Sequence, residues 1–329
     1  MKTFRILCID GGGIKGLYSA QVLSSFEDHF KVLVSDCFDM ICGTSTGGII
    51  AMGASLKIPM HEIVDFYDRR GPEIFRQYYK DRYNLKFSIG DKLLGLKQAL
   101  LSSKYDGTHL RKALYDVFGT KVLDDAFNLL CIPSYDITSA QTRVFKNGPW
   151  GSDGHLSFVD VALATSAAPT YFPIMKIGGK EYIDGGLWAN NPTVVALTEF
   201  LRNYLKPFHV RKKEDWDSVE ILSVSSCEKF MGQVSKRKDR SFFRWKDTIF
   251  DIYSSGQEQS DDDLLVNMSE HLDFQLDITR VTHKALSRDQ ERHVASDNAD
   301  NATRSLLKII ARRTATRYID DPAVLRLFR

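Results

Sequence analysis

Apolar runs that stop abruptly at glycine organise the first half of the chain. Phe4-Arg5-Ile6-Leu7-Cys8-Ile9 predicts a short buried strand, and it ends at Asp10-Gly11-Gly12-Gly13-Ile14-Lys15-Gly16. Leu17, Ala20, Gln21, Val22, Leu23 and Phe26 follow at helical spacing, so the glycines lie between a strand and a helix N-terminus. The pattern then repeats. Phe38, Met40, Ile41 and Cys42 lead into Gly43-Thr44-Ser45-Thr46-Gly47, and Ile49 to Leu56 reads as a buried helix that stops before Pro59.

Beyond it, Met60 to Tyr67 has the spacing of another helix, followed by Gly71-Pro72-Glu73-Ile74-Phe75. The segment from Arg76 to Lys104 is rich in Tyr, Lys and Leu and reads as a cover over a site, a plain structural insertion being the alternative. Thr108 to Phe118 is amphipathic and closes at Gly119. Asn128 to Ile137 is a strand whose Pro133 implies an edge or a bulge, with Arg143 to Lys146 as its neighbour. Phe158 to Ala167 is a helix of small residues. Ile174 to Asp184 is hairpin-like around Gly178-Gly179 and delivers Asp184-Gly185-Gly186. A helix starts at Asn191-Pro192, and Val219 to Ser225 is one more buried strand. From about Glu228 the character changes: Trp245 to Leu265 is helical, Leu272 to Ile278 alternates with the period of a strand, and Asn298 to Arg312 is a final helix.

Size and composition narrow the function classes. A chain of 329 residues, 43% hydrophobic and 26% charged, is an ordinary globular protein able to bury a large core. Its net charge of +2 gives no bulk attraction for nucleic acid. Five scattered cysteines without a C-x-x-C pair argue against a disulfide framework or zinc ribbon and fit a reducing compartment. No stretch approaches the roughly 18 apolar residues of a membrane span, and the N-terminus does not read as a signal peptide, so a membrane would be met from the aqueous side. One basic cluster interrupts the even charge: Lys236, Arg237, Lys238, Arg240 and Arg244 stand beside Phe242, Phe243 and Trp245. Such a mixture suits a lipid head-group interface or a nucleotide, and equally a solvated loop beside a core helix.

The two glycine turns carry the candidate chemistry. In G-x-S-x-G the glycines remove the Cβ atoms that would collide as the chain reverses, lifting Ser45 into a strained, exposed turn at a helix N-terminus. The Gly11 to Gly13 turn can cradle a phosphate or serve as an oxyanion hole. The second use is favoured, because two anion-binding turns can lie side by side in one parallel sheet. Asp36 and Asp39, near the distance of a dinucleotide-binding acid, precede the strand that feeds the serine. A serine needs a base. Asp184, flanked by glycines at a strand end, follows it, whereas His209, His271, His283 and His293 carry no motif around them.

Together, Asp10 to Gly16, Gly43 to Gly47 and Asp184 to Gly186, in this order, resemble the patatin-like phospholipase family. Gly71 to Phe75, Lys104 to Asp106 and Ala164 to Pro173 extend the resemblance over about residues 4–226. It implies an α/β, three-layer αβα fold with a central mainly parallel sheet, a helical cover segment and a mainly helical C-terminal region. The chain would be one domain, 1–329, with a core of about 4–226 and a regulatory or packing extension of about 227–329. Ser45 would be the nucleophile, Asp184 its base, and Gly11, Gly12 and Gly13 the oxyanion hole. Lys15 takes the basic position beside those glycines, and Gly16, Gly43, Gly47, Gly185 and Gly186 complete the motifs. The implied reaction is hydrolysis of fatty acyl esters of membrane phospholipids, with no metal or other cofactor required for catalysis.

The chain is also similar to bacterial phospholipases that act as effectors in cyclic-nucleotide antiphage (CBASS) signalling. That likeness implies a cyclic dinucleotide activator, to which Lys236 to Arg244 and Arg312, Arg313 and Arg317 would offer cations. It also implies a cytoplasmic enzyme working peripherally at the inner membrane surface, with bilayer phospholipids as partner, a homodimer as assembly and no DNA or RNA. The alternatives are a constitutive acyl hydrolase and a noncatalytic nucleotide-binding module.

Overall fold

The two glycine-terminated runs become neighbouring parallel strands. β1 (Thr3–Ile9) pairs with β2 (Met40–Gly43), with Ile9 opposite Gly43, so both glycine turns leave the sheet at the same edge. The computed structural model describes residues 2–75, 103–205, 215–227, 242–272 and 274–329. The expected cover segment at 76–104 falls, except for its last two residues, outside the described residues, as do Lys236, Arg237, Lys238 and Arg240.

The remaining strands are β3 (Leu129–Asp136), β4 (Gln141–Lys146), β5 (Met175–Ile177), β6 (Lys180–Asp184), β7 (Ser218–Val224) and β8 (Gln275–Val281). The order across the sheet is β5-β6-β3-β2-β1-β7-β8, with β4 paired to β3 off this path. β3, β2, β1, β7 and β8 run parallel, whereas β4 and β6 run antiparallel to β3. The sheet is therefore mainly parallel, with an antiparallel wing where the hairpin of β5 and β6 joins it.

Alternation along β1 creates three layers. Phe4, Ile6 and Cys8 point to one face, where they meet Ala196, Leu197 and Phe200 of the helix Thr193–Asn203. Leu7 and Ile9 point to the other, where Gly16–Phe30, Thr46–Ser55, Met60–Ile74, Phe158–Thr165 and Asn301–Tyr318 form the opposite layer. Burial on both faces is why β1 reads as a near-continuous apolar run.

Late elements join this same frame. β8 lies parallel to β7 with Ser223 opposite Arg280, three residues further on than the apolar alternation suggests at each end. Pairing with a buried neighbour sets its bounds: Phe274 and Leu276 enter one core and Val281 the other. The long helix Phe242–Ser269, which begins just before Arg244, precedes it.

Two prolines behave differently from expectation. Pro133, expected at an edge or a bulge, is at neither: β3 is an inner strand and pairs with β4 in unbroken register through Pro133. It lies in β3 between the residues that pair with β2, ending at Cys131, and those that pair with β6, starting at Ser134. The missing N–H thus falls where the partner strand changes. Pro72 sits inside Met60–Ile74, a helix expected to stop near Tyr67. A proline there leaves the carbonyl four residues earlier, that of Asp68, without its helical donor. Arg304 supplies one: its guanidinium bonds the Asp68 carbonyl and, at 2.6 Å, the Asp68 carboxylate, while Lys308 Nζ takes the other carboxylate oxygen at 2.6 Å.

This substitution of a side chain for a backbone donor is testable. Arg304→Met should cost about 2 kcal/mol in urea unfolding, because a half-buried carbonyl and carboxylate lose their donor. In a Pro72→Ala background, which restores the helical N–H, the same change should cost about 1 kcal/mol less. Equal costs in both backgrounds would show that Arg304 does not replace the missing bond.

Candidate active site

The elbow is built by close approach. A Cβ on Gly47 would sit 2.1 Å from the Ile9 carbonyl oxygen, and one on Gly43 the same distance from the Gly47 carbonyl oxygen. Only glycine lets the serine turn lie this near to β1. Ser45 itself has φ 54° and ψ −121°, a conformation that L-residues rarely adopt and that costs about 1–3 kcal/mol. The surroundings hold it there. Ser45 N–H donates to Thr165 Oγ1 at 2.9 Å, Thr165 Oγ1 donates to the Pro133 carbonyl at 2.6 Å, and Thr44 Oγ1 donates to the Ala189 carbonyl at 2.6 Å.

Asp184 arrives from the antiparallel wing. It ends β6 opposite Ser134, and its backbone N–H donates to the Ala167 carbonyl at 3.1 Å. Ser45 Oγ donates to Asp184 Oδ2 at 2.7 Å, and Gly186 N–H donates to Asp184 Oδ1 at 2.7 Å. Gly185 permits this turn, since a Cβ there would meet the Pro133 carbonyl oxygen at 2.3 Å. Ser45 is 9% exposed and Asp184 3%. Burial pushes the Asp184 carboxyl up to about 6, partly offset by the bonds from Gly186 and Ser45. A carboxylate that is a poor base near pH 4 thereby becomes a serviceable one near neutrality.

The first glycine turn abuts the serine. A Cβ on Gly11 would fall 3.3 Å from the Ser45 Cβ, and Gly16 touches Thr46 closely enough that a Cβ would lie 2.2 Å from Thr46 Oγ1. Among the three glycines expected to hold an oxyanion, Gly11 differs. Its N–H donates to the Asn190 carbonyl at 3.0 Å. Among the described residues no hydrogen bond engages the Gly12 or Gly13 N–H, and Gly13 lies at φ 60°. Lys15 stands in the short 3-10 turn Gly13–Lys15 just beyond them.

Gly12, Gly13, Ser45 and Asp184, but not Gly11 or Lys15, line a cleft of about 840 Å³, open solvent included. These four form its polar floor. Ile49, Phe66, Ile74, Phe75, Leu110 and Phe172 supply apolar wall, and among the described residues no histidine lines the cleft. Ser296 and Asp297, from the C-terminal region, complete the rim. Ile14 N–H donates to the Ser296 carbonyl at 2.8 Å, and Asp297 accepts from Lys104 Nζ and, at 3.0 Å, from Tyr105 Oη. Sequence reasoning missed Asn190, Thr165, Ser296 and Asp297. Thr165 lay inside the Ala164 to Pro173 run and Asn190 six residues beyond Asp184, next to the helix start at Asn191-Pro192, but neither was singled out, and Ser296 and Asp297 lay near no motif. Among the described residues no cluster of three His, Cys, Asp or Glu side chains is arranged to hold a metal ion.

The raised carboxyl has a thermodynamic signature. Between about pH 4 and pH 6 the folded chain keeps a proton that the unfolded chain has released, so stability falls as pH rises through that window and is level above it. The cost at neutral pH is about 3 kcal/mol. Asp184→Asn should therefore melt above wild type at pH 7.5 in calorimetry, with the advantage shrinking towards pH 4. A wild type that melts higher at pH 7.5 would contradict the assignment.

Comparison with known proteins agrees with this arrangement. The family model described as "Patatin-like phospholipase" matches residues 7–197. A "cGAMP-activated phospholipase" of Pseudomonas aeruginosa is 31% identical over 327 residues, covering 97% of this chain and 90% of its own. "Patatin-like protein 2" of Arabidopsis thaliana is 37% identical over 223 residues, 59% of this chain and 52% of its own. A "cGAMP-activated phospholipase" of Vibrio cholerae is 33% identical over 237 residues, 68% of this chain and 64% of its own. The chain thus spans nearly all of the Pseudomonas relative and between half and two thirds of the other two. With the family model covering more than half of its length and the serine and aspartate of two family motifs in contact, the chain belongs to the patatin-like phospholipase family.

Proposed function

We propose that the chain hydrolyses fatty acyl esters of membrane phospholipids through Ser45 and Asp184, and that a cyclic dinucleotide switches it on. The observation that carries the chemistry is the 2.7 Å bond from Ser45 Oγ to a buried Asp184 carboxylate at the floor of an apolar cleft. Asp184 accepts the Ser45 proton as Oγ attacks the acyl carbonyl. The Gly12 and Gly13 N–H groups receive the oxyanion, each such donor being worth about 3 kcal/mol in the transition state. As the tetrahedral intermediate collapses, Asp184 returns the proton to the departing lysophospholipid oxygen. Water then gives a proton to Asp184, attacks the acyl-enzyme and releases the fatty acid, restoring Ser45. The apolar walls suit an acyl chain, and the lining of the cleft lets the ester meet Ser45 away from bulk water.

Regulation rests on likeness. Two of the relatives described above carry the name "cGAMP-activated phospholipase", and the alignment with one runs through the C-terminal region as well as the core. We assign that region, about 227–329, the regulatory part, with the cations at Lys236, Arg237, Lys238, Arg240 and Arg244 as phosphate contacts. Among the described residues no helix is long and apolar enough to cross a membrane. The same likeness to the bacterial effectors is the ground on which the reading has the chain act peripherally, at the cytoplasmic surface of the inner membrane, as a homodimer and without nucleic acid.

The test is fatty acid release from mixed phospholipid vesicles by wild type, Ser45→Ala and Asp184→Asn, each with a panel of cyclic dinucleotides. Wild type should respond to at least one nucleotide, and each substitution should lower the stimulated rate by about a thousandfold or more. Equal wild-type rates across the panel would leave a constitutive hydrolase, and an unimpaired Ser45→Ala would remove the catalytic reading altogether. The stimulated rate should also fall as pH drops through about 6, since Asp184 must be ionised to accept the proton. A rate independent of pH between 5 and 8 would argue for another base.

A further inference from the structure

The glycine turn has few anchors of its own. Gly11, Gly12 and Gly13 carry no side chains, and glycine backbone is the most permissive of any residue. An oxyanion hole nevertheless needs its donors placed to within a few tenths of an ångström. Besides the bond from Gly11 N–H to the Asn190 carbonyl, what fixes the turn is at its ends. At the far end, Ile14 is fully buried and its N–H bonds the Ser296 carbonyl. At the near end stands Asp10, a carboxylate with 0% exposure, directly before Gly11.

Asp10 is held from two strands away. Arg280 of β8 reaches past β7, donating from Nη1 to Asp10 Oδ1 at 2.8 Å and from Nη2 to Asp10 Oδ2 at 2.5 Å. Nη1 also donates to Ser223 Oγ at 2.7 Å, and Ser223 Oγ shares a hydrogen bond with Thr193 Oγ1 at 2.9 Å. The Asp10 N–H donates to the Val224 carbonyl at 3.1 Å. A two-pronged guanidinium–carboxylate pair fixes orientation as well as distance. It also neutralises a buried negative charge one residue before a turn whose task would be to receive another. Residues 7–197, matched by the family model, include Asp10 and exclude Arg280.

We propose that Arg280 is a positioning residue for acyl transfer: by clamping Asp10 it sets the Gly12 and Gly13 donors and cancels the Asp10 charge that would oppose the oxyanion. The inference rests on the acyl-hydrolase reading of Ser45 and Asp184. It makes the C-terminal strand part of the catalytic frame, reached through the sheet and without contact with substrate.

The experiment measures hydrolysis of a soluble short-chain p-nitrophenyl ester, with the activating nucleotide if one is required, alongside thermal unfolding. The proteins are wild type, Ser45→Ala, Arg280→Lys, Arg280→Met and the double variant Asp10→Asn with Arg280→Met. Arg280→Met should lower kcat by about thirtyfold to a hundredfold, with KM changed by less than about threefold, because the oxyanion forms only after binding. Arg280→Lys, which keeps the charge and loses the fork, should recover part of that loss. The double variant removes the buried Asp10 charge that has lost its guanidinium, so it should regain most of the melting temperature lost in Arg280→Met while kcat stays at least tenfold low. If Arg280→Met does not fold, Arg280→Lys and the double variant still decide the matter. Wild-type kcat in either of these, or recovery of kcat together with melting temperature in the double variant, would overturn the proposal and leave a purely structural ion pair. Wild-type hydrolysis that does not depend on Ser45 would instead sink the acyl-hydrolase reading beneath it.

Discussion

The contact between Ser45 and Asp184 depends on register. Ser45 leaves the end of β2, while Asp184 ends β6, and both strands pair with β3 on the side that β4 does not occupy. β2 runs alongside β3 as far as Cys131, and β6 descends antiparallel along the same strand until Asp184 faces Ser134. The two chain ends therefore approach each other head on, from opposite directions, at adjoining levels of one strand. A slip of β6 by one residue would turn the Asp184 side chain to the other face of the sheet. Pro133 occupies the gap between the two pairings, where β3 has no neighbour on that side to offer it a carbonyl.

Local free energy is spent at this meeting point. Ser45 is held at positive φ, and Asp184 is buried with a carboxyl that would ionise more easily in water. The glycines around them contribute no side-chain packing and are present because backbone passes where a Cβ would collide. Compensation comes from the two layers on either side of the sheet, where β1 is buried on both faces and aromatic rings such as Phe4 and Phe200 meet at 5.1 Å. A stiff frame thus supports a site whose own parts are individually unfavourable.

The site was legible where its requirements are local. Chain reversal without a Cβ demands glycine, so Gly11 to Gly13, Gly43, Gly47, Gly185 and Gly186 mark themselves in the sequence, and with them Ser45 and Asp184. The strand and helix succession around these turns was legible for the same reason. What escaped was set by partners distant in sequence. Asn190 takes the Gly11 N–H through a carbonyl, a group every residue possesses. Pro72 reads as a helix stop unless Arg304, from a helix more than two hundred residues later, is known to replace its missing bond. The bounds of β8 were likewise set by pairing with β7 and not by its own apolar alternation.

β8 has one more consequence, which concerns time. The strands that carry the serine and its acid are synthesised first, yet the sheet is completed by a strand beginning at residue 275, and the cleft rim by Ser296 and Asp297. Parallel pairing over such separations forms late, because the loop must close before any contact rewards it. A nascent chain on the ribosome therefore carries every motif of the hydrolase long before it carries a finished cleft. The order of elements along the chain delays assembly of a lipid-degrading site until most of the protein has been made.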